Sequence, residues 1–150
     1  ISAEKDNLLN IRLKADALKK FFSGGQAQNI LVPFIRVANI LKQAEEKKIE
    51  VNNTIDENLL SEEMEKKLYD FYKNNKTILS NSHNKREYLV FLENLANWRD
   101  IIDRFFDEIL VMHSEENIRN NRLALLQQIN NIFSLFADFS LIPIVEDKNA

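Results

Sequence analysis

Apolar residues recur at intervals of three and four along most of this chain, and that spacing predicts helices. Leu8, Ile11, Ala15 and Leu18 form a first stripe, ended by Gly24-Gly25, a helix stop. Pro33 suits the first turn of a second helix, where its missing N–H leaves no bond unmade, and Phe34, Val37, Ile40 and Leu41 follow. Residues 49–60 are polar and without period, and are expected to form a loop. Ser61-Glu62-Glu63 opens a third helix with acid at its positive end, and Met64, Leu68, Phe71 and Tyr72 give its stripe. Residues 80–84 read as a turn, with Asn84 as an N-cap and Glu87 as its partner three positions on. A fourth helix carries Tyr88, Phe91, Leu95 and Trp98, and a fifth carries Ile101, Ile102, Phe105, Phe106 and Ile109, with no Gly or Pro between them. Ser114 is the expected cap of the last helix, striped by Ile118, Leu125, Ile129, Ile132, Phe133 and Phe136. No strand-like alternation persists and no repeat is evident. The pattern therefore predicts an all-α fold, a single helical bundle of five to six helices, with a core over about residues 3–142 and a frayed tail at 146–150.

The length of 150 residues fits one domain with a real core. Without Cys there is no disulfide framework and no thiolate metal site. No apolar run approaches the ~18 residues of a membrane helix, and the N-terminus alternates charged and apolar residues, so a cytoplasmic protein with no membrane partner is expected. The chain opens Ile1-Ser2-Ala3 without Met, as a piece of a longer polypeptide would. Net charge is −3, which excludes a globally basic nucleic-acid binder. Only residues 1–50 carry a positive balance, nine Lys and Arg against six Asp and Glu.

Few residues suggest chemistry. His83 and His113 fall in expected loops with no metal-ligand neighbour at helical spacing. Gly24-Gly25 lacks the lysine and preceding strand of a phosphate loop. Asp100, Asp103 and Asp107 share a helix face, but Arg99 and Arg104 interleave, which reads as a salt-bridged surface. No catalytic constellation, cofactor site or metal site is visible. Most aromatic residues lie on core stripes; Phe21, Phe22 and Phe34, flanking the Gly24-Gly25 turn, are the ones that could stack on a base. Arg36, Asn39 and Lys42 are three apart on one helix edge, beside Val37, Ile40 and Leu41. They allow two readings, an ordinary charged rim or an edge that grips phosphate and a base. With Lys19 and Lys20 they are the RNA-binding candidates. An RNA module would expose Arg36 and Lys42 beside Lys14, Lys19 and Lys20; a helical protein–protein adaptor would expose a contiguous apolar patch instead.

Three blocks carry a family resemblance. They are Arg36-Val37-Ala38-Asn39-Ile40-Leu41-Lys42, Phe105-Phe106-Asp107-Glu108-Ile109-Leu110-Val111-Met112, and Arg119-Asn120-Asn121-Arg122-Leu123-Ala124-Leu125-Leu126 running on to Phe136-Ala137-Asp138-Phe139-Ser140. In order and spacing this resembles the C-terminal, DALR-type anticodon-binding domain of the bacterial glycyl-tRNA synthetase beta subunit, over about residues 10 to 142. The resemblance implies an all-helical module that binds the anticodon arm of glycine tRNA and contributes to its selection. It implies, as further partners, the rest of the beta subunit and the alpha subunit, which would handle ATP and Mg, leaving this fragment non-catalytic and without a cofactor. Ile35 stands where the family often has Lys. Arg119, Asn121 and Arg122 match the strongest motif. Arg122 also falls on the core stripe of its helix, where it is expected half-buried and paired with Asp103 or Asp107, a structural role weighed against RNA contact.

Overall fold

The computed structural model describes the backbone of residues 2–140 and the side chains of residues 3–137. Six α-helices occupy most of it: α1 (Ser2–Ser23), α2 (Gln28–Glu46), α3 (Glu63–Asn84), α4 (Tyr88–Ala96), α5 (Trp98–Glu108) and α6 (Glu116–Ser140), with one 3-10 turn at Glu57–Leu59. The described residues contain no strand, so the chain is all-α. The expected end of the core at 142 and the frayed tail at 146–150 lie outside the described residues.

The last helix is the centre. Residues Asn121 to Leu126 of α6 are buried without a break, so the helix is surrounded there rather than striped on one side. It packs against α1, α2, α3 and the 3-10 turn, while α5 lies against α2, α3 and α4. Trp98, at the start of α5, is almost wholly buried and meets Phe71 edge-on at 4.8 Å and Phe133 at 6.3 Å, the tilted geometry that aromatic quadrupoles favour. Only Asn97 separates α4 from α5, which is why no Gly or Pro marks that boundary.

Several local expectations shift. Pro33 sits inside α2 rather than in its first turn, because the helix begins at Gln28 and Pro33 is buried in the core. The loop after α2 is not simply polar: Ile49, Val51 and Ile55 pack on the core and Leu60 is buried. Residues 80–84 continue α3, since burial of Leu79 and Ser82 holds that end helical. Asn84 is the last helical residue, not a cap, and Glu87 makes no capping bond. His83 is therefore in a helix, its ring 5.6 Å from Tyr88 and 5.3 Å from Phe91. α6 starts at Glu116, so Ser114 does not cap it; His113 Nδ1 instead accepts from the Glu115 N–H.

The first stripe is the largest departure. Leu18 is buried, but Leu8 is 66% exposed and Leu9, Ile11 and Leu13 are exposed as well. This half of α1 is held by polar contacts: Arg86 donates twice to the Asp6 carboxylate at 2.8 and 2.7 Å, and Tyr88 OH bonds Asn10 Oδ1. The Arg86 hydrogen bonds hold the Asp6 carboxyl below its ordinary 3.8.

Candidate nucleic-acid interface

The edge of α2 is less free than its sequence suggests. Arg36 Nη1 reaches Asp103 Oδ1 of α5 at 3.0 Å, and its guanidinium lies 4.7 Å from the centre of the Phe106 ring. Arg99 approaches the other oxygen of Asp103 at 3.6 Å and donates to Asn29 Oδ1 at 2.8 Å. The salt-bridged reading of the Asp100–Asp103–Asp107 face thus holds at Asp103, with Arg36 as an added partner. Asn39 and Lys42 are exposed.

The other lysines stand elsewhere. Lys19 and Lys20 are exposed on α1. Lys20 lines a groove of about 390 Å³ between α1 and the start of α4, shared with Arg86, Tyr88 and Val90. Lys14 lies 5.5 Å from the centre of the Tyr88 ring. α1 packs along α4 and α6, while Arg36 of α2 is engaged by Asp103 of α5. Phe21 is buried, and Phe22 and Phe34 are half-buried against the core, with Phe34 tilted on Phe133 at 5.9 Å. They pack as core rather than stand as a stacking platform.

Arg122, expected half-buried, is buried at 5% exposure, and its partner differs from the expected ones. Nη2 reaches Glu65 Oε1 of α3 at 2.8 Å, with Glu65 wholly buried, and Nη1 donates to the Leu110 carbonyl at 2.6 Å. Asp103 and Asp107 were the expected acids; α5 packs against α2 and α3, and Asp103 faces α2 instead. Glu65 also accepts the Glu62 N–H, so one carboxylate serves the helix start and the core arginine. Asn121 is structural too: its amide donates to the Asp56 carbonyl at 3.0 Å and accepts the Asp56 N–H at 2.7 Å, clamping the loop to α6. Arg119 is different. Its guanidinium donates to Asn120 Oδ1 at 3.2 and 3.1 Å, and among the described residues no carboxylate lies within 4.0 Å of it.

Arg119 opens onto a groove that sequence reasoning missed. Three adjoining cavities run between the C-terminal half of α2, the 47–60 loop and the first half of α6. The largest, about 680 Å³, is bounded by Lys42, Glu45, Lys48, Gln127 and Asn130. The next, about 330 Å³, shares Lys48, Ile49 and Glu50 and adds Asn52, Arg119 and Asn120. The third, about 260 Å³, shares Asn52 and Asn120 and adds Asn117. Gln128 Nε2 fixes the loop by donating to the Asn53 carbonyl at 2.6 Å. Lys48 is presented by a helix end: it holds φ 59°, while its N–H bonds the Glu45 carbonyl and the Ile49 N–H bonds that of Ala44. The groove joins segments about seventy residues apart, which periodicity cannot bring together. The available signal was the density of amides, Asn52 and Asn53 against Asn117 to Asn131.

Among the described residues, no group of three or more His, Cys, Asp or Glu could hold a metal ion, and no helix is long and apolar enough to cross a membrane.

Comparison with known proteins agrees with this architecture. Residues 30–146 match the DALR anticodon binding domain family, a match that begins in the first turn of α2. The glycine–tRNA ligase beta subunit of Geotalea daltonii is 34% identical over 139 residues, covering 93% of this chain and 19% of that protein. The same subunit from Clostridioides difficile is 31% identical over 142 residues, 95% of this chain and 20% of the relative. That from Alteromonas mediterranea is 38% identical over 130 residues, 86% and 18% respectively. The chain thus spans about a fifth of the length of the curated relatives it matches. With the family matched over more than half of its residues, on an all-helical bundle, the chain belongs to the DALR anticodon binding domain family.

Proposed function

We propose that this chain binds the anticodon arm of a glycine tRNA and helps select it for aminoacylation, as a non-catalytic domain of a glycine–tRNA ligase beta subunit. The observation that carries this reading is the match of residues 30–146 to an anticodon binding domain family. Relatives named as that subunit, aligned over nearly the whole chain, support the glycine assignment. In this reading ATP and Mg belong to the catalytic parts of the ligase, and this domain takes no cofactor. The exposed side chains of Leu8, Leu9, Ile11 and Leu13 favour a protein neighbour in addition to RNA. The rest of the beta subunit and the alpha subunit are the proposed neighbours, in the cytoplasm.

A gel-shift titration of the chain against glycine tRNA and a non-cognate tRNA tests the reading. Few cations are available, so binding should be weak and salt-sensitive, each phosphate contact adding about 0.7–0.9 to the slope of log K against log salt. Preference for glycine tRNA with a measurable slope is expected. No binding to either tRNA, with a protein captured through α1 instead, would leave only the adaptor.

A further inference from the structure

We infer that the groove between α2, the 47–60 loop and α6 is where unpaired cytosines of the anticodon are read, an inference that rests on the anticodon-arm reading above. Glycine codons begin with two guanines, so a cognate anticodon offers two cytosines. Each presents an amino donor, N4, where uracil presents a carbonyl. Unpaired bases splay out and are recognised on that edge by hydrogen bonds. A carboxamide suits cytosine well, since its carbonyl accepts from N4 while its amino group donates to N3. A carboxylate accepts from N4 and repels the uracil carbonyl.

The walls supply this chemistry. Asn52 and Asn120 each border two of the three cavities, and Gln127 and Asn130 border the largest. Asn130 Oδ1 is buried and accepts no hydrogen bond from the described residues. An unmet buried acceptor is costly, and an arriving amino donor such as cytosine N4 relieves it, whereas the uracil carbonyl does not. The charges are mixed. Lys42, Lys48 and Arg119 face Glu45, Glu50 and Glu116 around the same walls. A site for phosphate alone has no use for three carboxylates, whereas a site that seats a base amino group beside its phosphates uses both signs. The volume of about 680 Å³ falls within the roughly 300–1,000 Å³ of ligand pockets. Lys48 is held in the left-handed region, where a side chain is strained, and it still lines two of the cavities. Arg36, by contrast, is already matched by Asp103.

The test is fluorescence anisotropy of this chain with a glycine anticodon stem-loop, and with the same stem-loop carrying uracils for both anticodon cytosines. The unaltered chain should prefer the cytosine form. Asn130→Leu should lower that preference about tenfold, in the range of one lost base-specific contact. Asn120→Ala should do the same and serves if Asn130→Leu fails to fold, as read from its melting temperature. Lys67→Ala, at a surface pair with Glu63 on α3, should leave the preference unchanged. If the unaltered chain binds neither stem-loop, the anticodon-arm reading fails and this inference fails with it. If it prefers cytosine and both groove variants keep that preference, the groove is the wrong place while the reading stands. Equal weakening toward both stem-loops assigns the groove to phosphate and overturns base reading.

Discussion

Arg36 and Arg122 both end on a carboxylate, and burial separates what each contributes. Arg122→Ala leaves the Glu65 charge in the core without its partner, which costs about 3–5 kcal/mol. Urea denaturation should show that loss as a lower midpoint. Arg36 and Asp103 are 39% and 32% exposed, so solvent screens their pair; with the Phe106 contact, Arg36→Ala should cost about 1 kcal/mol in the same experiment. Equal losses for the two variants would contradict this ranking. The sequence made Arg122 legible as a half-buried, paired arginine, because it shares a stripe with Ile118, Leu125 and Ile129. It did not reveal the partner. Spacing says which residues share a helix face but not which helices are neighbours, so Glu65, fifty-seven positions away, was invisible. The Asp103 partner of Arg36 was invisible for the same reason.

Three helix ends show how far local signals reach. Gly25, at φ 75°, was legible because glycine adopts that conformation without strain. Lys48 and Arg86, at φ 59° and 60°, make the same kind of ending without glycine, and no residue type announced them. Arg86 closes α3, with its own N–H on the His83 carbonyl and the Glu87 N–H on that of Ser82. The Asn and Ser of residues 80–84 suggested a turn too early because burial of Leu79 and Ser82 outweighs their local preference. Lys48→Gly should stabilise the chain by about 1 kcal/mol, since a left-handed side chain is relieved and Lys48 is exposed. Thermal denaturation reads this directly; a lower melting temperature would mean that the Lys48 side chain holds the loop.

At the scale of the whole molecule, the all-α class, the helix count and the central stripe of α6 were readable from periodicity, because packing of apolar faces is what periodicity records. The groove was not, because it is made of amides and of a connecting segment held by Asn121 and Gln128, neither of which repeats. The exposed leucines of α1 misled the pattern in the opposite sense: an apolar stripe announces a contact, not which molecule supplies it. The central claim is that this bundle holds an anticodon arm, with the groove as the proposed place. The most direct measurement is a titration of isotope-labelled chain with the glycine anticodon stem-loop, followed by NMR of side-chain amides and backbone. The predicted result is saturable shifts at Asn52, Asn117, Asn120 and Asn130 with α1 unmoved. No saturable shift anywhere, or shifts confined to Leu8 through Leu13, would contradict the account.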